Sequence, residues 1–301
     1  MYVFNTRAPY GVHVQGSVCI AQRARIITHL LHRVNGVIDH LKRVTLDLDS
    51  TVLTVYGKQE GARLGYNPHK RGKRSYHPLL CFIAETEDYL YGKLRKGDAA
   101  SAMGLLPFFK KCLNRLPETV QRIRVRADAG FYSGGFFDLL EARDIEYAVA
   151  ARVTRRLGRR LRAVSYRPVA ADIEVGELNY QAIGWGEARR MAVIRKKLPE
   201  RPDPQMPLFT LERYSYQVIA TNVADMAPEE VWEFYNGRAV VENRIEEVKN
   251  QFNLSKIPSS DYMAHACYFQ MVVLNLTRAF PRQEMFESVL GRVREMSLQF
   301  G

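Results

Sequence analysis

The sequence has few cysteines and no long apolar run. Its four cysteines are far apart and form no CxxC pair, which argues against a zinc knuckle and predicts buried, reduced thiols: Cys19, Cys81, Cys112 and Cys267. No run of 18 apolar residues is present, so no transmembrane helix is expected. The first residues, Met1–Arg7, lack the pattern of a signal peptide. These absences predict a cytoplasmic protein.

Acidic residues are also in deficit. The chain of 301 residues has 32 Asp and Glu against 44 Lys and Arg, which gives a net charge of +12. Its 47% hydrophobic and 25% charged residues are ordinary for a globular protein, so the basic excess is the unusual property. Such an excess favours a polyanionic partner, and nucleic acid is the main candidate. A basic surface without a partner is the alternative.

Two segments place aspartates where an α/β sheet would present them to a ligand. The segment Arg43–Thr51 alternates apolar and acidic residues, which predicts a strand with Asp47 and Asp49 on one face. The run Arg122–Phe131 is rich in β-forming residues and reaches Asp128 just before a glycine turn. Carboxylates at the ends of central strands face the crevice where such sheets bind ligands. From the residues alone Asp47 competes with Asp49, and Asp128 also suits an ordinary helix N-cap.

A third carboxylate lies among regularly spaced polar residues. Tyr235, Arg238, Glu242 and Lys249 are spaced by three, four and seven. On one continuous helix they would share a stripe about 60° wide, narrower than the usual solvated face. We interpret the stripe as a surface that meets an anionic ligand through a metal ion. Glu246 shares this face and is the nearest competitor of Glu242, and pairing with helix acids is the alternative for the cations.

Three carboxylates that converge from distant segments would repel one another unless a cation lay among them. Two Mg²⁺ ions about 3.5–4 Å apart can activate a water or a 3′-hydroxyl and stabilise the leaving oxygen of a phosphodiester. Mg²⁺ prefers oxygen ligands and keeps several waters, so few protein ligands are needed. We therefore predict Mg²⁺ or Mn²⁺, as two ions, as the cofactor.

These segments resemble the signature blocks of DDE-type insertion-sequence transposases. The blocks are Asp-Ser-Thr at 49–51, Arg-Ala-Asp-Ala-Gly-Phe at 126–131 and Tyr-x₂-Arg-x₃-Glu-x₆-Lys at 235–249. The resemblance runs from about Val44 to Phe280 and takes in Gly65–Leu80. The most similar subgroup carries a long β-rich insertion between the second aspartate and the glutamate.

The resemblance implies functions for particular residues. It selects Asp49 over Asp47, and it implies that Asp49, Asp128 and Glu242 are catalytic and bind the metal. It also implies contacts with DNA phosphates, for which guanidinium and ammonium groups are suited, from Tyr235, Arg238 and Lys249. Similar transposases act as dimers on paired DNA ends, so a homodimer is expected.

The predicted elements follow the order β-β-β-α-β-α-β, with aspartates on the first and fourth strands. This is the ribonuclease H-like arrangement of an α/β fold, a mixed sheet flanked by helices, and the resemblance implies the same fold. Residues 57–76 are predicted to form a basic loop, and a long helix that carries Glu242 is predicted to open at Ala227. We divide the chain into an N-terminal segment (1–42), a first part of the catalytic core (43–151), a β-rich insertion (152–214) and a second part of the core (215–301).

Two basic segments are candidate DNA contacts, because each neutralised phosphate adds salt-dependent affinity. Solvated surfaces are the alternative for these residues: Lys70, Arg71, Lys73 and Arg74 in the loop, and Arg155, Arg156 and Arg159 in the insertion. His69 and His77 lack a second soft ligand at a matching spacing, so we interpret them as backbone or DNA contacts or as structural residues. Trp185 is expected to pack inside the insertion rather than wedge into DNA.

The sequence therefore predicts a nucleoid-associated bacterial transposase that cleaves DNA strands at insertion-sequence ends and joins them to target DNA. Its partner is double-stranded DNA, both element ends and target. One alternative is a ribonuclease H-like nuclease without strand transfer. Another is an inactive, truncated remnant that only binds DNA, because only 48 residues precede Asp49 and family members usually carry a longer end-binding region.

Overall fold

The computed structural model describes residues 41–67, 70–100, 102–198, 214–240, 243, 245, 246 and 260–274. In chain order its elements are β1 (Arg43–Ser50), β2 (Leu53–Thr54), β3 (Arg63–Leu64), β4 (Arg74–Tyr76), β5 (Leu79–Ile83), β6 (Asp88–Lys93), α1 (Leu105–Leu113), β7 (Arg122–Ala127), α2 (Gly134–Glu141), β8 (Glu146–Ala150), α3 (Arg155–Leu161), β9 (Arg167–Ala170), β10 (Ile173–Tyr180), β11 (Arg189–Lys197), β12 (Tyr214–Thr221), α4 (Pro228–Asn236) and α5 (Tyr262–Leu274). A single 3₁₀ turn, Ala129–Phe131, follows β7. None of the helices in these ranges is long and apolar enough to cross a membrane.

Nine strands form one mixed sheet, and three short strands form a second sheet. The large sheet has the order β6-β5-β1-β7-β8-β12-β11-β10-β9. Its central strands β1, β7 and β8 are parallel neighbours, with β5 and β12 antiparallel on either side. The predicted mixed α/β class is confirmed. The predicted succession of three strands, helix, strand, helix and strand is present as β1, β5, β6, α1, β7, α2 and β8.

The prediction of a basic loop over residues 57–76 is wrong in part. β3 and β4 lie inside this segment, and β4 pairs with both β2 and β3 to form the small sheet. Only Ser75 and Tyr76 of β4 are buried, while the surrounding lysines and arginines are exposed. The basic composition therefore concealed a short strand that is held by two buried positions.

The two faces of β1 have opposite chemistry. Val44, Leu46 and Leu48 are fully buried in the main core, together with apolar side chains of α1 and α2. Burial of each such side chain contributes about 1.5–3 kcal/mol to folding. Asp47 and Asp49 point to the other face, as the period of two predicted. On that face α4 packs over β8, β10, β11 and β12, and α5 packs over β5 and β6. Asp47 and Asp49 are buried beside Arg126 and Arg238 rather than in open solvent.

The predicted insertion continues the large sheet instead of forming a separate layer. β11 pairs with β12, β10 with β11 and β9 with β10, all antiparallel. The segment also begins with a helix, α3, which was not predicted. Its buried side chains are Leu157 and Leu161, spaced by four residues and hidden in the sequence by the surrounding arginines.

Trp185 packs against the segment that follows Asp128. Its ring centroid lies 5.1 Å from that of Tyr132 and 5.4 Å from that of Phe137. Trp185 therefore packs, as predicted, but its ring contacts are with the first part of the core rather than inside the insertion. Through these contacts the loop before β11 braces α2, which begins six residues after Asp128.

Arg189 joins the insertion to α2, and its loss is expected to destabilise the fold. Its buried guanidinium donates to Glu141 at 2.7 Å and to Asp138 at 2.6 Å. Burial raises the pKa of Glu141, but hydrogen bonds from Arg189 and Tyr147 outweigh it, so the pKa lies below its ordinary 4.5. A depressed folded pKa stabilises the protein above pH 4.5, and this stabilisation is lost as pH falls through the folded value.

We therefore expect Arg189→Gln to cost about 2 kcal/mol of unfolding free energy at pH 7, less than for fully buried pairs because the acids are partly exposed. The difference between wild type and variant should shrink as pH falls below 4.5. Urea denaturation at pH 7 and pH 4 measures both effects. The control is Lys196→Gln, because Lys196 is on the same strand as Arg189 and makes a solvent-exposed ion pair with Asp172. Its loss should lower the free energy of unfolding by less than about 1 kcal/mol. A pH-independent loss in the Arg189 variant would contradict the prediction.

Candidate active site

Asp49 and Asp128 occupy corresponding positions at the ends of adjacent parallel strands. The last paired residues of β1 and β7 are Leu48 and Ala127, and each aspartate is the next residue along its strand. The spacing of neighbouring strands puts the two backbones about 4.8 Å apart. Asp49 is nearly buried and Asp128 is partly exposed. The structure thus brings together two of the three predicted catalytic carboxylates.

Local backbone amides hold both carboxylates. Oδ1 of Asp128 accepts a hydrogen bond from the amide of Gly130 at 2.9 Å, which starts the 3₁₀ turn. Oδ1 of Asp49 accepts one from the amide of Ser50 at 2.8 Å. The N-cap function considered for Asp128 is therefore real, and it leaves the carboxylate at the strand end, where a ligand is expected in an α/β sheet.

Asp47 is committed to a buried ion pair. Arg126 donates from Nε to Oδ1 and from Nη2 to Oδ2 of Asp47, each at 2.7 Å. The two residues are direct partners in the register of β1 and β7. Asp47 has no solvent exposure; burial raises its pKa, and the bonds from Arg126 oppose the rise. Asp47 shares a face with Asp49 but is the salt-bridge partner of Arg126.

Arg238 also points into this site. Its Nη2 donates to Oδ1 of Asp49 at 3.0 Å, and the residue is only 5% exposed. Arg238, which is predicted to bind a DNA phosphate, is therefore hydrogen-bonded to Asp49, which is predicted to bind the metal ion. Tyr235, one turn earlier, is half-buried beside the apolar cluster under α4. The DNA-binding roles of both residues remain predictions.

The long helix predicted from Ala227 is interrupted before it reaches Glu242. α4 ends at Asn236, residues 237 and 238 form a turn, and helical backbone resumes at residue 239. The carbonyl of Phe234 accepts a hydrogen bond from Nη1 of Arg126 at 2.9 Å, while the Arg238 amide donates to Tyr235 at 3.0 Å. The predicted continuous helix is therefore interrupted at residues 237 and 238, and the stripe through Glu242 remains a prediction because Glu242 lies outside the described residues.

Comparison with known families identifies the chain. A family model for the transposase DDE domain, group 1, matches residues 20–280. This chain belongs to that family. A comparison with curated proteins found no match.

Two solved transposases resemble this DDE family member over part of its length. One is a piggyBac transposase in a synaptic complex with hairpin DNA, which is 15% identical in sequence. The matched region covers 77% of this chain and 47% of the piggyBac chain, with a TM-score of 0.42. The Mos1 strand transfer complex is also 15% identical, covers 49% of this chain and 45% of its own, and gives a TM-score of 0.24. The chain thus spans less than half the length of either transposase.

The third predicted carboxylate of this DDE-domain chain, Glu242, and the predicted phosphate ligand Lys249 lie outside the described residues. Described residues on either side of Glu242 make different contacts. Arg238 contacts Asp49, and Ile245 is buried in a cluster with side chains of β2, β5 and α5. Within the described ranges, no group of three or more His, Cys, Asp or Glu side chains is placed to hold a metal ion.

The donor set at the strand ends nevertheless fits Mg²⁺. Asp49 and Asp128 offer carboxylate oxygens, the ligands that this ion prefers, and Mg²⁺ needs few protein ligands because it retains water. Two carboxylates this close repel each other, and Arg238 supplies a compensating positive charge to Asp49. A bound cation would supply the same kind of compensation.

His77 is buried near the aspartate pair and makes a backbone contact. Its Nδ1 lies 2.9 Å from the carbonyl oxygen of Ala99. Burial lowers the pKa of His77, and the negative charge of Asp128 acts in the opposite direction. The backbone-contact interpretation of His77 agrees with this geometry, while His69 lies outside the described residues.

The seven predicted DNA contacts in the two basic segments all lie on the surface. The exposed side chains are Lys70, Arg71, Lys73 and Arg74 around β4, and Arg155, Arg156 and Arg159 on α3. Exposure is what a phosphate contact requires, and it is equally what a solvated face would show. Their DNA-binding role therefore remains a prediction.

Sequence reasoning missed Arg126 and Gly237 as residues of the site. A signal was available for Arg126, because it alternates with Val125 and Ala127 and therefore shares the face of Asp128. A cation at that position of a central strand needs an acidic partner, and Asp47 is the acid at the same depth. For Gly237 the Asn236-Gly237 pair signalled a turn, but its contact with Arg126 could not be predicted because Arg126 belongs to a distant strand.

Proposed function

We propose that this chain is a transposase that cleaves DNA strands at insertion-sequence ends and transfers them to target DNA in a metal-dependent reaction. The observation that carries the proposal is the adjacent placement of Asp49 and Asp128 in a chain of the DDE transposase family. The strand order around them, with β1 between an antiparallel β5 and a parallel β7, supports a ribonuclease H-like core.

Asp49, Asp128 and Glu242 would hold Mg²⁺ or Mn²⁺, as two ions shared with substrate phosphates. Bound there, the ions would lower the pKa of the attacking water and stabilise the leaving 3′-oxygen. The chain itself would contribute positioning and charge neutralisation. No covalent enzyme intermediate and no organic cofactor is required.

Arg238 would change partner when DNA binds. In the DNA-free protein its guanidinium donates to Asp49. A phosphate of the DNA end would offer a second anionic acceptor, for which a guanidinium is well suited. Tyr235 and Lys249 would add contacts to the same phosphates. Arg238 would thus neutralise Asp49 before loading and orient the scissile strand afterwards.

The two exposed basic patches would extend the DNA surface beyond the cut site. The residues around β4 and those on α3 are proposed to track phosphates of the element end and of the target duplex. A homodimer that holds two ends together is the proposed assembly. The insertion, residues 152–214, is proposed to shape the channel that receives the DNA end.

The patch around β4 makes a measurable prediction about salt. Lys70→Ala/Lys73→Ala should weaken DNA binding and reduce the slope of log K against log salt by about 1.8, since each lost phosphate contact accounts for about 0.9. Fluorescence anisotropy with a labelled duplex at several salt concentrations measures the slope. Lys110→Ala/Lys111→Ala removes the same charge from the exposed side of α1 and should leave the slope almost unchanged. Equal effects from both variants would assign the loss to net charge alone.

A strand-transfer assay tests the proposed function. The substrate is a pre-nicked duplex carrying the terminal sequence that flanks this reading frame, together with a target duplex and Mg²⁺. A transposase gives joined product, while a nuclease on the same scaffold gives hydrolysis only. DNA binding without either product would identify an inactive remnant and overturn the proposal.

A further inference from the structure

Arg126 makes three hydrogen bonds at a buried position of β7. Its Nε and Nη2 bind Asp47, and its Nη1 binds the carbonyl of Phe234, all between 2.7 and 2.9 Å. Its guanidinium also lies 5.3 Å from the Phe234 ring. Replacing a buried ion pair by apolar residues of similar volume is often neutral or stabilising. Stability alone therefore does not account for this arrangement.

The third contact shapes the backbone that leads to Glu242. Because Arg126 takes the Phe234 carbonyl, the amide of Arg238 bonds one residue closer, to Tyr235. A Cβ built on Gly237 would overlap Nη1 of Arg126, so only glycine leaves room for the guanidinium. The resulting turn places Arg238 on Asp49.

The spacing along the strands connects this contact to the candidate metal site. Arg126 lies two residues before Asp128, and Asp47 lies two residues before Asp49. Residues two apart on a strand share a face and are separated by about 6.5–7 Å. The Asp47–Arg126 pair thus lies on the same face as Asp49 and Asp128, two residues earlier on each strand. Arg126 is also hydrogen-bonded to the end of α4.

We infer that Arg126 is a positioning residue, which docks the end of α4 on the strands and thereby sets the turn that holds Arg238 on Asp49. Asp47 holds the guanidinium in place, and Gly237 admits it to the helix end. The inference rests on the proposed function for the role of the metal, but the docking itself is a property of the fold.

The test uses a double variant, Asp47→Leu/Arg126→Met, which replaces the ion pair by apolar residues and so leaves no buried charge behind. Urea denaturation should show stability near that of wild type. Amide exchange of residues 237–240 should accelerate, because the turn has lost its bond to β7. Because Arg238 is then no longer held on Asp49, the dissociation constant for Mn²⁺, followed by electron paramagnetic resonance, should fall by up to about tenfold.

The matched control is Arg124→Met/Glu146→Leu. Arg124 precedes Arg126 by two residues on the same face, pairs with Glu146 at 2.7 Å and also lies 5.3 Å from the Phe234 ring. No bond from Arg124 to the α4 backbone is present among the described contacts. This control should keep both the exchange rates and the Mn²⁺ affinity. Gly237→Ala should reproduce the Arg126 phenotype by displacing the guanidinium.

The outcomes separate the two proposals. Unchanged exchange and unchanged Mn²⁺ affinity in the double variant would overturn the positioning role. If wild type binds no Mn²⁺ and processes no DNA, the proposed function fails, while the exchange measurement still decides whether Arg126 docks α4. If the double variant unfolds, Arg126→Lys is the second measurement, because it keeps the charge but lacks the planar three-way donor geometry.

Discussion

Asp49→Asn and Asp128→Asn are each expected to reduce Mg²⁺-dependent cleavage of a DNA end by about a thousandfold or more. Asparagine has the shape of aspartate and can still accept the amide hydrogen bonds from Ser50 and Gly130. It lacks the negative charge that attracts a divalent cation, so the fold survives and the metal is lost. Single-turnover cleavage of a labelled duplex measures the effect.

Asp225→Asn is the control for these substitutions, because Asp225 is exposed in the loop before α4 and should keep full activity. Circular dichroism and urea denaturation establish that all three variants are folded. Wild-type cleavage rates in either site variant would remove that aspartate from the active site. Both site variants should lose cleavage activity to a similar extent, because the two aspartates occupy corresponding positions across the β1–β7 pair.

Arg238→Met is expected to have opposite effects on metal binding and on catalysis. The guanidinium 3.0 Å from Oδ1 competes with a cation for Asp49, so its removal should tighten Mn²⁺ binding to DNA-free protein by about tenfold. The same change removes a donor for the scissile phosphate and should slow end cleavage by about 10²–10³-fold. Electron paramagnetic resonance titration measures the first effect, and single-turnover kinetics measure the second.

Two further variants serve as the control and the conservative substitution for Arg238→Met. Arg143→Met removes an exposed arginine after α2 and should change neither quantity. Arg238→Lys retains a cation near Asp49 and should lie between wild type and Arg238→Met in both measurements, even if the methionine variant is unstable. Weaker Mn²⁺ binding in Arg238→Met would mean that the arginine supports the metal site instead of competing for it.

The strands that carry the aspartates could be predicted because local periodicity alone determines them. Alternation along Arg43–Ser50 placed Asp47 and Asp49 on one face, and the structure has them there. The end of β7 was likewise marked by the aspartate and the glycine turn after it. In both strands the buried apolar residues repeat at every second position, which is the property that a sheet requires.

The end of α4 could not be predicted because a distant strand decides it. The Asn236-Gly237 pair weakens a helix locally, but Gly237 keeps right-handed helical dihedral angles, so the local sequence alone does not fix where α4 ends. The break coincides with the bond between Arg126 and the Phe234 carbonyl, 108 residues apart in sequence. Similarly, α3 was missed because Leu157 and Leu161 are only two apolar positions among many arginines.

The most direct test of the account is anomalous diffraction from Mn²⁺ in crystals of the protein bound to a nicked DNA end. We predict a manganese peak about 2 Å from carboxylate oxygens of both Asp49 and Asp128, with the Arg238 guanidinium turned from Asp49 to a phosphate. Manganese bound elsewhere on the protein, with these two aspartates making no contact to it, would contradict the account.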